Sequence, residues 1–418
     1  MSTQKAYEMA KEIYAGYGVD TEKAMEQLKN VSISLHCWQG DDVIGFESAE
    51  GSLTGGIQTT GNYPGKARTI DELKQDIEFV MSLLPGKQKL NLHALYLDNG
   101  GKKVDRDQIE PKHFETWVDF AKKNKIGLDF NPSFFSHALS ENGTLSSRDK
   151  SVREFWIEHG KRSRKIAEYF GKELGIRAVT NFWMPDGSKD TPVEKLSARE
   201  RMKESLDEIF ALPIDINCDR DALESKLFGI GLESYTVVSN EFVYAYCAKN
   251  PNTMVCMDAG HYHPTEVISD KISTAALFYD EMLLHVSRPI RWDSDHVVIL
   301  NDEIQAIANE IVRNDLFGKV NIALDYFDAS INRITAWVTG VRATQKALLA
   351  ALLTPNDKLK EFEASGDYTS RLALSEVYKT LPFSLVWDYF CEKENVPVAQ
   401  KWVEEAKKYE ADVTSKRI

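Results

Sequence analysis

The chain has 418 residues, 43% hydrophobic and 28% charged, an ordinary composition for a globular protein with a large core. Its 64 acidic and 51 basic residues leave a net charge of −13, which repels phosphate backbones and argues against nucleic-acid and anionic-membrane partners. No apolar run is long enough to span a bilayer, and Met1 to Leu28 reads as a polar helical stretch without a signal-peptide core. Five cysteines (Cys37, Cys218, Cys247, Cys256, Cys391) lack metal-ligand spacing and read as reduced thiols of a cytoplasmic protein.

Eight short strands are expected along the chain: Ser32–Trp38, Lys89–Leu95, Gly127–Pro132, Arg177–Trp183, Glu224–Gly229, Thr253–Asp258, Met282–Val286 and Val320–Asp325. Helix-period segments lie between most of them, at Thr69–Leu84, Glu110–Lys123, Val152–Leu174, Ala198–Phe210, Lys271–Leu277 and Asp302–Asn314. Alternation of strand and helix predicts a parallel sheet, and eight units predict a closed (β/α)8 TIM barrel. No Gly-rich phosphate turn follows the first strand, which speaks against a doubly wound open sheet. The loop from Gln39 to Arg68 is long and rich in Gly and Thr, so a lid over the barrel mouth is expected there. Residues 1–328 are assigned to the barrel, with an N-terminal helix and this first loop. After Asp328 the strand signal stops. Ile331 to Leu353 is one apolar helix pattern, and residues 329–418 read as a helical extension that closes the barrel and contacts other subunits.

Acids and histidines recur where the later strands end. The segments are Leu-Glu-Ser-Lys (Glu224, Lys226), Met-Asp-Ala-Gly-His-Tyr-His (Asp258, His261, His263), Leu-Leu-His (His285), Trp-Asp-Ser-Asp-His (Asp293, Asp295, His296) and Leu-Asp-Tyr-Phe-Asp (Asp325, Asp328). A closed barrel brings its C-terminal strand ends to one mouth, so these groups should meet. Oxygen ligands mixed with imidazole suit Mn²⁺, Mg²⁺, Zn²⁺ or Co²⁺, and the surplus of acids suggests two ions. His263 and His296 fit an outer hydrogen-bonding layer as well as a ligand role. Lys226 fits a substrate anchor, a proton donor or a plain salt bridge. His93 fits a hydroxyl-binding group or a buried structural histidine. Trp38, Trp183, Phe134 and Phe135 lie at or past strand ends, as the apolar wall of a sugar pocket or as core. Arg288, Arg291 and Arg333 are expected to balance the acids. No P-loop, G-x-S-x-G, H-E-x-x-H or C-x-x-C pattern is present.

Several long motifs resemble those of bacterial L-rhamnose isomerases. They are Ser-Ile-Ser-Leu-His-Cys-Trp-Gln-Gly-Asp-Asp-Val from Ser32, Thr-Thr-Gly-Asn-Tyr-Pro-Gly-Lys-Ala from Thr59, Leu-Asn-Leu-His-Ala from Leu90 and Leu-Asp-Phe-Asn-Pro-Ser from Leu128. Two more are Met-Asp-Ala-Gly-His-Tyr-His-Pro-Thr-Glu from Met257 and Val-Ser-Arg-Pro-Ile-Arg-Trp-Asp-Ser-Asp-His-Val-Val from Val286. The resemblance covers essentially the whole chain. It implies a barrel related to xylose isomerase, a homotetramer and two divalent ions per subunit, commonly Mn²⁺. By similarity Glu224, Asp258, His285 and Asp325 hold a structural ion. His261, Asp293 and Asp295 hold a catalytic ion, with Asp258 able to bridge. Glu224 is preferred to Glu233 because it precedes the lysine of Glu-Ser-Lys. Lys226, Asp325 and His93 are implied as catalytic, and Trp38, His93, Phe134, Trp183 and Lys226 as sugar-binding. The implied reaction interconverts L-rhamnose and L-rhamnulose, by hydride shift or through an enediol with an acid or His93 as base. Alternatives are an isomerase of another aldose, a metal-dependent phosphodiesterase on a similar barrel, and a non-catalytic sugar-binding protein.

Overall fold

The computed structural model describes residues 2–47, 57 and 59–417. Eight parallel strands close into a barrel: β1 Ser32–His36, β2 Lys87–His93, β3 Gly127–Asn131, β4 Ala178–Trp183, β5 Asp219–Glu224, β6 Thr253–Asp258, β7 Met282–Val286 and β8 Val320–Leu324. β1 pairs with both β2 and β8, which closes the sheet. The helix following each strand lies outside the barrel: α3 Ile70–Ser82, α4 Glu115–Asn124, α5 Lys150–Leu174, α6 Lys195–Phe210, α7 Asn240–Lys249, α8 Ser269–Phe278, α9 Asp302–Arg313 and α10 Arg333–Leu352. Before β1 lie α1 Thr3–Gly16 and α2 Thr21–Asn30. After α10 come α11 Asn356–Ala364, α12 Tyr368–Lys379, α13 Phe383–Lys393 and α14 Lys401–Asp412.

Strand residues alternate between two apolar environments. Val179, Ala222, Met254, Cys256, Leu283 and Ala323 form a compact cluster inside the barrel. Val255, Met257, Leu284 and Leu324 join the larger core between barrel and helices. Burial on both faces explains why these strands read as continuous apolar runs.

The fifth strand differs from expectation. It runs Asp219–Glu224 rather than Glu224–Gly229, so Glu224 ends it. Its outward positions carry acids that mask the strand pattern. Arg164 of α5 pairs with Asp221, and the Thr180 hydroxyl donates to Asp219 at 2.7 Å.

The C-terminal helices pack on their own barrel. Trp337 of α10 donates to the carbonyl of His36 at 2.8 Å. Tyr389 stacks on Tyr7 of α1 at 4.0 Å, and Tyr409 stacks on Phe79 of α3 at 4.1 Å. Arg417 and Tyr409 both engage the buried carboxylate of Asp76. Much of the apolar content of residues 329–418 is thus buried within the chain.

Candidate active site

The same alternation that packs the barrel interior aims the functional groups. Two residues beyond each interior residue, the next inward side chain reaches the mouth. Ala222 is followed by Glu224, Cys256 by Asp258, Leu283 by His285, Ala323 by Asp325, and Val179 by Asn181. The β6–α8 and β7–α9 loops add His261, Asp293 and Asp295. Lys226 lies just past the end of β5, its amide donating to the carbonyl of Val238 at 2.9 Å, and still reaches the cluster.

Two overlapping ligand groups result. Glu224, Asp258, His285 and Asp325 each offer an atom within 4.8 Å of the others, and so do Asp258, His261 and Asp293. Asp258 belongs to both. Asp295 lines the adjoining cavity but stands outside the second group. His285 Nδ1 lies 3.2 Å from Glu224, 3.3 Å from Asp325 and 3.8 Å from Asp258, yet neither ring nitrogen forms a hydrogen bond. Asp258 Oδ2, Asp293 Oδ1 and His261 Nδ1 are likewise buried without a hydrogen-bond partner. Buried polar atoms are ordinarily satisfied. A proton can serve one of these contacts, whereas a cation can be bound by all of them, so the donor set fits divalent ions. Backbone approach is also tight. A Cβ on Gly260 would sit 2.4 Å from Asp293 Oδ1, so glycine in the Asp-Ala-Gly-His turn leaves that carboxylate its place in the cluster.

The electrostatics agree. Burial pushes Asp258 up to about 8, with Glu224, Asp325 and Asp293 adding to the shift. Burial and the same crowd of acids hold Asp295 well above the carboxylate range. For Asp293, burial is outweighed by Lys226 and His261, and the carboxyl is lowered. His261 is raised despite burial, through Asp258 and Asp293. His285 is raised despite burial, through Cys256, Glu224 and Asp325. Five carboxyl groups therefore share the positive charge of Lys226 and two imidazoles, and burial keeps protons on Asp258 and Asp295.

Above the cluster opens a cavity whose lining mixes aromatic rings with convergent polar groups, the usual make-up of a small-ligand site. Trp38, His93, Phe135 and Trp183 line one side as successive edge-to-face contacts at 4.8, 5.2 and 5.8 Å. Trp38 Nε1 donates to the Asp325 carboxylate at 3.0 Å. Lys226 Nζ sits 5.6 Å over the Trp183 ring and pairs with Asp293. Burial, then Arg106, pushes His93 down to about 3, so its ring is neutral.

Several expectations change. Phe134 does not reach the cavity: its ring is enclosed by Trp156, His159 and Phe182, and Phe135 takes the wall position. The arginines do not balance the acids. Arg333 binds the Asp42 carboxylate, Arg288 bonds the carbonyl of Val297, and Arg291 is exposed. His263 is exposed, and His296 bonds Ser294. Glu233 is also exposed, which leaves Glu224 in the cluster. Asn131, Asn181, Phe228, Trp292 and Phe327 line the cavity without having been singled out as ligand contacts. For Asn131 and Asn181, a polar residue at an inward strand-end position was the available signal. Part of the expected lid lies outside the described residues, but Val43 and Ile57 of that loop line the cavity of their own chain.

Comparison with known proteins gives a consistent picture. The sequence model of the family L-rhamnose isomerase (RhaA) matches residues 1–417. L-rhamnose isomerase of Mannheimia succiniciproducens is 60% identical over 419 residues, covering 100% of both chains. That of Listeria monocytogenes is 58% identical over 414 residues, 99% of this chain and 98% of the relative. That of Escherichia coli is 57% identical over 420 residues, 100% of both. Among solved structures, a D-tagatose 3-epimerase-like protein shares the fold, with a TM-score of 0.50 and 11% identity over 76% of this chain and 97% of its own. The chain belongs to the L-rhamnose isomerase family.

Proposed function

We propose that this chain interconverts L-rhamnose and L-rhamnulose with two divalent ions, Mn²⁺ foremost. The observation that carries the proposal is the pair of ligand groups sharing Asp258 at the floor of an aromatic-walled cavity. Glu224, Asp258, His285 and Asp325 would hold one ion. His261, Asp293, Asp295 and the shared Asp258 would hold the other. When bound, the ions supply Lewis acidity to two neighbouring sugar oxygens.

The chain's own residues do the rest. Lys226, fixed on Asp293 and over Trp183, presents an ammonium group to a sugar oxygen at the cavity wall. Trp38 orients the Asp325 carboxylate. Neutral His93, with Nδ1 3.3 Å from the Ser133 hydroxyl, offers a ring nitrogen to a sugar hydroxyl. Its low proton affinity favours that role over general base, which counts against an enediol route through His93 and supports a direct hydrogen shift between C1 and C2. The aromatic walls exclude water, which suits a transfer without solvent exchange. The same reading takes the enzyme as a cytoplasmic homotetramer acting on a free sugar.

The test is ketose formation from L-rhamnose in D₂O with Mn²⁺ present. The expected result is L-rhamnulose with no deuterium at C1. Sugar binding without turnover, or cleavage of phosphodiesters instead, would overturn the proposal. Deuterium washed into C1 would overturn the direct shift.

A further inference from the structure

Beneath the acid cluster lies a thiol that the proposed reaction does not use. Cys256 is an inward residue of β6, buried in the barrel interior at 2% exposure. In the sheet register it stands directly opposite Glu224 of β5. A sulfur, a carboxylate oxygen and an imidazole nitrogen from Cys256, Glu224 and His285 lie within 4.8 Å of one another. Both ring nitrogens of His285, itself 1% exposed, are without hydrogen-bond partners. The thiol therefore adds a third donor to two groups that already face each other.

Donor chemistry decides which ion would use it. Oxygen and imidazole serve Mn²⁺, Mg²⁺, Zn²⁺ and Co²⁺ alike, whereas an added thiolate favours soft ions, Cd²⁺ foremost. Cys256 takes no part in the four-residue group of Glu224, Asp258, His285 and Asp325. Moving from that group to the thiol group exchanges Asp258 and Asp325 for sulfur while keeping Glu224 and His285. The two positions share those ligands, so a single ion fills one or the other.

We propose that Cys256, Glu224 and His285 form an alternative, deeper site for thiophilic divalent ions, exclusive with the oxygen-rich site above it. Binding there forms a metal–sulfur bond as the thiol proton leaves to buffer; no electrons change hands. Thiophilic ions thus inhibit by withdrawing Glu224 and His285 from the upper site, and excess Mn²⁺ reverses the inhibition. The inference rests on the reading of Glu224 and His285 as metal ligands.

The experiment titrates chelator-stripped, full-length protein with Cd²⁺, following the thiolate-to-metal charge-transfer band. Mn²⁺ binding is followed separately by electron paramagnetic resonance. Wild type should show the band, and Mn²⁺ should bleach it competitively. Cys256→Ser and Cys256→Ala should lose the band and lose Cd²⁺ affinity by more than the roughly 100-fold that bounds the loss of an outer-shell partner. Their Mn²⁺ affinity should stay within about twofold of wild type on the same scale, which also shows that the barrel is intact. A band that survives both substitutions, or no band in a protein that binds Mn²⁺, would overturn the alternative site. Failure of wild type to bind Mn²⁺ at all would instead overturn the metal-site reading beneath it.

Discussion

In the lower wall of the barrel Asp221 and Asp129 are neutralised from within the chain, whereas the buried acids of the mouth are left short of positive charge. Asp221 is held by Arg164 through three contacts of 2.8–3.1 Å. Asp129 accepts from the Ser34 hydroxyl, the Val179 amide and the Lys89 ammonium. At the mouth, Glu224, Asp258, Asp293, Asp295 and Asp325 converge, and among the described residues Lys226 is the one lysine or arginine paired with them. A buried acid paired in the chain is architecture. A cluster left short of positive charge, with orphaned ligand atoms, is built for something the chain does not supply.

The largest effect should come from one substitution on each side. Asp258→Asn removes the shared ligand, and kcat/KM for L-rhamnose should fall about 1,000-fold or more. Asp221→Asn leaves Arg164 unpaired and should cost about 3–5 kcal/mol of stability, with turnover per folded molecule kept. Steady-state kinetics beside urea unfolding separates the two. Loss of turnover in Asp221→Asn at full stability would break the contrast.

Metal removal should discriminate almost as sharply. Mn²⁺ at 100 times its dissociation constant should stabilise the wild type by about 2.7 kcal/mol over the stripped protein. Asp221→Asn should gain as much, and Asp258→Asn little, in thermal melts with and without metal.

Two adjacent residues sharpen the comparison further. Phe135→Ala opens the sugar wall and should raise KM about tenfold, or ~1.4 kcal/mol. Phe134→Ala should leave KM alone and cost about 3–5 kcal/mol in denaturant unfolding.

The metal reading also predicts a pH dependence. In the metal-free fold Asp258 titrates at about 8, above its ordinary 3.8, so its proton must leave before an ion is held. Mn²⁺ affinity should rise about a hundredfold from pH 6 to a plateau above about pH 8. By the same sign, the metal-free fold loses stability as pH rises from 3.8 towards 8. Over that range the unfolded chain has released this proton and the folded chain has not. Calorimetric titrations in buffers of different ionisation enthalpy check the proton release.

These contrasts were partly legible in the sequence. Strand ends after Met254–Met257, Met282–Leu284 and Val320–Leu324 announced Asp258, His285 and Asp325, because apolar runs buried on both faces stop where polar groups begin. The fifth strand was not legible. Asp219 and Asp221 look like loop residues until Thr180 and Arg164, distant in sequence, are seen beside them. Nor could a sequence tell Phe134 from Phe135. Two neighbouring aromatics past a strand end point opposite ways, and which one faces the cavity is set by the turn that follows. The three arginines near the acids in sequence were misleading for a similar reason: proximity along the chain does not fix direction, and Arg333 spends its charge on Asp42.

The most direct test counts ions against turnover on one preparation. Chelator-stripped protein is dialysed against graded Mn²⁺, and bound metal and ketose formation from L-rhamnose are measured together. The account predicts two ions per chain, no turnover in the stripped protein, and activity that appears as the sites fill. Full turnover in protein shown to hold no metal, or a chain that binds no Mn²⁺ while its mouth stays intact, would contradict it.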